Sequence, residues 1–249
     1  MTALLEARGL DAGYDQVPIV RGLDIAVSAG EVVALLGPNG AGKTTTLLTL
    51  AGYLRPLAGE VDFLGEPAQG PLHRRARRGL GLLTEERSIF MQLTSRQNLG
   101  VATADVGRAT GLFPELVPLM SRRAGLLSGG EQQMLALAGV LARTDKRLLL
   151  ADELSLGLAP LAVGRLLQAV RAAADDGLGV LLVEQHVHRV LDIADRVYVL
   201  SHGRVEYSGT AEQSRGQIDE IQAHYLGRDG PAFTTVDGVD PIDQEEHCQ

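Results

Sequence analysis

Residues 37–45 read GPNGAGKTT, a full match to the phosphate-loop pattern G-x-x-x-x-G-K-[ST]. Gly37, Gly40 and Gly42, spaced by Pro38, Asn39 and Ala41, let the backbone curl so that successive N–H groups point at phosphate oxygens. Lys43 supplies a point charge for β and γ phosphates, Thr44 a hydroxyl for Mg²⁺, and Thr45 closes the motif as a helix begins, positive end first. A plain glycine-rich turn would not need the lysine and the hydroxyl. A second pair of chemically able residues closes the run LLLADE: Asp152 and Glu153 sit at a strand's carboxyl end, where open α/β sheets bind ligands. Asp152 is expected to hold Mg²⁺ through its water shell. Glu153, pointing elsewhere, is expected to polarise a water for in-line attack on the γ-phosphate.

Two more stretches carry polar chemistry. In LSGGEQQ (127–133), Ser128 with Glu131 three residues on makes a capping box. A cap does not require Gly129 and Gly130, which leave amides uncovered at a helix N-terminus and so offer a second anion site. The stretch LLVEQHVHRVL (181–191) begins as an apolar strand and ends on Glu184, Gln185, His186 and His188. By itself it fits a metal site, a catalytic histidine or an ordinary strand end.

These groups need a scaffold, and the chain supplies a regular one. EVVALLG (31–37), RLLLADE (147–153) and GVLLVEQ (179–185) are short apolar runs bounded by turn or polar residues, as in a buried parallel sheet. TTTLLTLAGYL, EQQMLALAGVLAR and LAVGRLLQAVRAAADDG have helical length, the last opening at Pro160 and closing at Gly177. The first 30 residues are strand-like pieces separated by glycines; with EVDFLG (60–65) they predict a small antiparallel sheet. RVYVLSHGRVEYSG predicts a hairpin turning at Ser201–Gly203, followed by a helix to about Tyr225. HRRARR (73–78) is expected to be a solvated helix face.

Composition narrows the class. At 249 residues and 45% hydrophobic content the chain can bury an ample core. No apolar run approaches the roughly 20 residues of a spanning helix, and MTALLEARG lacks signal-peptide order, so a soluble, cytoplasmic chain is expected. A single cysteine, Cys248, permits no internal disulfide. Net charge is −8, but 229–249 holds six acids and no Lys or Arg, so the rest carries only −2. That near-neutral body gives no global argument for nucleic-acid binding. The acidic segment 229–249 is expected to be a mobile tail.

With GPNGAGKTT, LSGGEQQ and LLLADE in this order, residues 3 to about 226 resemble the ATP-binding subunits of ABC transporters. The resemblance implies an α/β fold, a P-loop NTPase of the ABC type: a mainly parallel core sheet, an N-terminal antiparallel β subdomain and an inserted α-helical subdomain (about 89–143), all within an ATP-binding domain of residues 1–228. It implies ATP and Mg²⁺ as ligands. It also implies a head-to-tail dimer in which Ser128, Gly129 and Gly130 contact the γ-phosphate held by the opposite subunit. Tyr14 falls where the family stacks an aromatic ring on adenine, with a partly buried strand tyrosine as the plain alternative.

TEERSIFMQLTSRQNL (84–99), FPEL followed by RRAGLLSGGEQQML (113–135) and ELSLGLAP (153–160) are similar to importer ATPases for branched-chain amino acids and related amides or urea. In that subgroup Glu85 replaces the glutamine most of the family has, and the resemblance places it near the Mg²⁺ or attacking water. Ser155–Pro160 lacks the family's usual aspartate, so communication across the dimer would use the backbone and Ser155. Counting back ten positions from Asp195 in ADRVYVL puts Gln185, not His186, where most of the family has a switch histidine, leaving His186 and His188 to start the next helix. Implied partners are membrane permease subunits, a second ATPase subunit (a copy or a related chain) and, indirectly, a solute-binding protein, with no nucleic acid. The implied location is peripheral, on the cytoplasmic face of the cell membrane. A lipid-exporter motor and a soluble ABC protein of translation or DNA repair are the alternatives; the latter often carry tandem ATPase domains or a long coiled coil, and this chain has neither.

Overall fold

The computed structural model describes residues 3–86, 88–103, 105–185 and 187–216. The chain opens with a long hairpin, β1 (Ala3–Tyr14) and β2 (Val17–Ser28). Its two-residue turn, Asp15–Gln16, has φ of 48° and 65°, the left-handed conformation that matches strand twist in tight hairpins. Then come β3 (Val32–Leu36), the phosphate-loop segment, α1 (Lys43–Ala51), and β4 (Ala58–Phe63) with its short partner β5 (Glu66–Pro67). β4 pairs antiparallel with β1, Leu5 opposite Phe63, so EVDFLG joins the N-terminal sheet as its sequence implies.

Next are α2 (Leu72–Arg77), β6 (Leu80–Leu83), α3 (Ser95–Ala102) and α4 (Val106–Leu112). Two 3₁₀ turns (Pro114–Leu119 and Ala124–Leu126) lead to α5 (Gly129–Leu141). β7 (Leu148–Asp152), α6 (Pro160–Asp175), β8 (Gly179–Glu184) and α7 (Val187–Leu191) follow. The described chain ends in the hairpin β9 (Arg196–Ser201) and β10 (Arg204–Thr210) and in α8 (Ala211–Gly216). The 229–249 segment and the helix expected to reach Tyr225 fall outside the described residues, except for α8.

Two sheets result. One is antiparallel, in the order β2-β1-β4-β5; the other has six strands, β10-β9-β3-β8-β7-β6, parallel except for β10. The period of two is visible in the core. Val32, Ala34, Leu36, Leu149, Ala151, Val180 and Leu182 face the layer of α5 and α6, while Val33, Leu35, Leu148, Leu150, Leu181 and Val183 face α1 and the antiparallel sheet. Strands buried on both faces need continuous apolar runs, which explains why β3, β7 and β8 read so plainly in the sequence.

Asp195 fixes how β9 enters this sheet. Its Oδ2 accepts from the Val32 amide and from Arg171 Nη1, both at 2.8 Å, and its own amide donates to Val32 O at 2.8 Å. At the other end of the strand, the β9–β10 turn is wedged against two neighbours. Gly203 N donates to Ala41 O (3.2 Å), Gly203 O accepts from Arg21 N (2.9 Å), and a β-carbon on Gly203 would lie 1.9 Å from Ile19 O.

The expectation for HRRARR needs correcting. Arg74 and Arg77 lie on the outside of α2, but Arg75 is only 4% exposed. Its Nη1 donates to the Thr49 carbonyl (3.3 Å) and to that of Leu50, and its Nη2 to that of Ala68. It thereby satisfies the Leu50 carbonyl in the last turn of α1 and shares that of Thr49 with the Gly52 amide (3.0 Å). Among the described residues no carboxylate pairs with it, and burial lowers its pKa.

Candidate active site

The phosphate loop connects β3 to α1. α1 has no side-chain cap: Gly42 precedes it at φ 106°, and a β-carbon there would sit 2.5 Å from Val20 Cγ2. The first-turn amides of a nine-residue helix are therefore left for an external anion. Asn39 and Gly40 are exposed at the loop's crest, while Ala41 and Thr45 are buried. Pro38 O accepts from the Ala41 amide at 3.2 Å, closing the turn.

Lys43 is 5% exposed and folds onto its own loop, Nζ donating to Gly37 O (2.8 Å) and Pro38 O (3.0 Å). Burial lowers its pKa, opposed by the charges of Glu153, Asp152 and Glu184. Those three carboxylates stand at the ends of two neighbouring strands. β8 lies between β3 and β7, with Leu36 opposite Glu184 and Asp152 opposite Val183. Three adjacent strand ends thus bring the phosphate loop, Asp152–Glu153 and Glu184–Gln185 to one edge of the sheet.

Asp152 is 3% exposed and its Oδ1 is buried with no hydrogen-bond partner among the described residues. Burial pushes its pKa up, the Thr44 hydrogen bond pulls it down, and the charges of Glu153 and Glu85 add to the rise. A buried carboxylate oxygen without a donor, beside a threonine hydroxyl, is a hard-oxygen pair of the kind Mg²⁺ takes alongside water and phosphate ligands. The residues present fit that ion. Glu85 is exposed in the turn after β6, near enough for its charge to act on Asp152.

Glu153 departs from the strand at φ 47°, its amide held by Val183 O at 2.9 Å. Its Oε1 accepts from Gln185 Nε2 at 2.7 Å. Gln185, the residue chosen by counting from Asp195, is therefore joined to the acid expected to handle the attacking water. His188 lies in α7 and so does begin the next helix; His186 is outside the described residues.

The remaining predicted residues are placed elsewhere. Ser128 caps α5 in a complete capping box: Glu131 N donates to Ser128 Oγ (3.4 Å) and Ser128 N to Glu131 Oε2 (2.7 Å). Gly130 abuts α6, its hypothetical β-carbon 3.2 Å from Ala162 Cβ. Among the described residues no hydrogen bond links Ser128, Gly129 or Gly130 to the phosphate loop. Tyr14 ends β1 and is 45% exposed, which fits a ring available for stacking and equally a partly buried strand tyrosine. A cavity of about 760 Å³ lined by Tyr53, Arg55, Asp62, Gln69 and Arg75 contains none of the predicted site residues.

Sequence reasoning gave no role to Glu184. It is 1% exposed, and its oxygens accept from Ser155 N (2.9 Å) and Ser155 Oγ (2.6 Å). Burial raises its pKa against those bonds. The available signal was an acid at the end of an otherwise apolar strand, on the same parity as Val180 and Leu182.

The ABC transporter family profile matches residues 20–155. The chain is 37% identical over 202 residues to the high-affinity branched-chain amino acid transport ATP-binding protein BraG of Pseudomonas aeruginosa, covering 77% of this chain and 86% of that one. It is 35% identical over 239 residues to the lipopolysaccharide export system ATP-binding protein LptB of Escherichia coli, covering 91% and 98%. A solved structure described as the ATP binding subunit of an ABC transporter superposes with a TM-score of 0.78 at 28% identity, covering 90% of this chain and 99% of that one.

Proposed function

The chain belongs to the ABC transporter family, and from that premise we propose that it drives import of branched-chain amino acids or related small amides. As a member it is an ATP-binding, ATP-hydrolysing subunit that works with membrane permease components. Among the described residues, no helix is long and apolar enough to cross a membrane. In our proposal it sits on the cytoplasmic face, residues 1–228 forming the ATP-binding domain, with the helical insertion at about 89–143 receiving the permease.

The observation that carries the catalytic part is the meeting of Lys43, Asp152, Glu153 and Gln185 at three adjacent strand ends. On nucleotide arrival Lys43 exchanges the Gly37 and Pro38 carbonyls for β and γ phosphates, and the uncapped start of α1 adds its amides. Thr44 and Asp152 would hold Mg²⁺, which when bound neutralises charge on the phosphate oxygens. Glu153 orients and deprotonates the attacking water. Gln185 releases Glu153 and donates its amide to the γ-phosphate, while Glu85 faces the same water from the turn after β6. Tyr14 stacks on the adenine. Ser128, Gly129 and Gly130 complete the site of a second ATPase subunit, a copy or a related chain.

Support for the solute class comes from the 37% identity to a branched-chain amino acid transport protein and from the segments 84–99, 113–135 and 153–160. A second reading, the motor of a lipid exporter, is favoured by the longer match to LptB, 91% of this chain against 77%. Reconstitution with its permease separates them. ATPase stimulation by an amino-acid-loaded binding protein is expected; stimulation by lipid-loaded partners instead would select the exporter.

A further inference from the structure

A carboxyl side chain only 1% exposed at the end of a central strand is a costly choice where a leucine would fill the space. Glu184 is nonetheless well supplied with donors: both its oxygens are used by one residue, Ser155, through the amide and the hydroxyl. Ser155 belongs to the segment that leaves Glu153 and reaches α6 at Pro160. That segment is short of its own scaffolding. Glu153 and Gly157 are in the left-handed region (φ 47° and 69°), Leu156 is exposed, and its internal bonds are the long Leu156 N to Glu153 O (3.2 Å) and Leu158 N to Ser155 O (3.3 Å). It is anchored by the Glu153 amide on Val183 O (2.9 Å), the buried Leu154 side chain, the packing of Leu158 on the core, and the grip of Glu184 on Ser155, in which both the amide and the hydroxyl of one residue are held.

The two ends of the grip are informative. Glu184 is opposite Leu36, whose next residue opens the phosphate loop, and Gln185 follows it in the chain and holds Glu153. Consecutive residues at the end of β8 therefore hold two residues of the chain leaving β7: Gln185 holds Glu153, and Glu184 holds Ser155. The first pair is at the reacting water in the proposed site. The second grips the residue two positions beyond Glu153, whose own amide is held by Val183 O.

We propose that Glu184 is a positioning residue for ATP hydrolysis, holding Ser155 so that Glu153 and the segment to Pro160 keep their places relative to the phosphate loop. The inference rests on the proposed role of Glu153 and adds a residue that acts only through another. Misplacing a reacting group by about 1 Å costs on the order of 10²-fold in rate. A side chain that sets the backbone two residues from the base has that leverage.

The test uses the full-length chain with Mg-ATP and four variants: Glu184→Ala, Ser155→Ala, the double variant, and Glu184→Gln. Steady-state kcat and KM, binding of a fluorescent ATP analogue and thermal midpoint are measured for each. Both single alanine variants should lose kcat by on the order of 10²-fold with KM and analogue binding near wild type. The double variant should be no worse than Glu184→Ala, since both changes break one grip. Glu184→Gln should recover most of the rate, because its amide oxygen accepts from Ser155 N and its NH₂ donates to Ser155 Oγ. Normal kcat in Ser155→Ala, additive losses in the double variant, a loss confined to KM, or a Glu184→Gln as slow as Glu184→Ala would each overturn the inference. If Glu184→Ala does not fold, Ser155→Ala and Glu184→Gln decide it by the same criteria. An active wild type whose Glu153→Gln variant turns over normally overturns the base assignment, and a Ser155→Ala effect in that case would belong to some other residue, which also overturns this inference.

Discussion

The amide of Gln185 donates to Glu153 Oε1 across 2.7 Å, so without nucleotide the proposed base and the proposed switch occupy each other. Their separation is a necessary step in the cycle. Glu153→Gln should keep ATP affinity, slow hydrolysis by on the order of 10²-fold or more, and accumulate an ATP-closed dimer on gel filtration. Gln185→Ala should lower kcat with little change in KM. Near-normal turnover in Glu153→Gln would remove it from the base role.

Lys43→Ala should weaken nucleotide binding at least about tenfold, the loss of a charge-assisted contact being worth roughly 1.5–3 kcal/mol. Calorimetry of ATP binding measures it. Unchanged affinity would mean that Lys43 stays on Gly37 O and Pro38 O when the ligand enters.

Asp152→Asn separates stability from function. Removing a buried charge whose Oδ1 lacks a donor should stabilise the nucleotide-free protein by about 1 kcal/mol, a few degrees in melting temperature. The same change should abolish the extra thermal protection that Mg²⁺ gives over ATP alone. A destabilised nucleotide-free variant would contradict the account of Asp152 as an unsatisfied ligand.

Glu184 imposes a pH dependence of definite sign. Burial holds its carboxyl above the ordinary range, so the folded state keeps a proton that the unfolded chain has already released. Its contribution favours folding most at low pH, fades above about pH 4.3 and is gone once pH passes the raised folded-state value. Nearby charges at Glu153 and Lys43 act on the same carboxyl. Urea denaturation between about pH 4 and 8 should show a steeper decline for wild type than for Glu184→Gln. Parallel curves would refute it.

Arg75→Ala should destabilise the fold by about 3 kcal/mol in urea denaturation, since it strands the Leu50 and Ala68 carbonyls and leaves that of Thr49 to the Gly52 amide alone. Arg74→Ala, one residue away on the exposed side of α2, should stay within about 0.5 kcal/mol of wild type. Equal effects would restore the picture of a uniformly solvated basic face.

Much of this architecture was legible. Strands buried on both faces leave continuous apolar runs, and the phosphate loop, the strand-terminal acids and the capping box are local patterns with local causes. What was hidden depends on chain segments distant in sequence. HRRARR looks uniformly polar because nothing in it says that α1 will end beside its third residue. Glu184 looks like part of a polar strand end because its burial is decided by Ser155, 29 positions earlier. Counting back from Asp195 leads to Gln185, which the fold joins to Glu153, while Asp195 itself is bonded to Val32 through both its amide and its carboxylate.

The turn at Gly203 has a mechanical meaning. One residue bonds the phosphate loop through Ala41 and the antiparallel sheet through Arg21, in a space that excludes even a methyl group. Loop and sheet are riveted there, so neither can pivot against the other. In the proposed function, any movement of the phosphate loop would therefore carry the start of β2 with it.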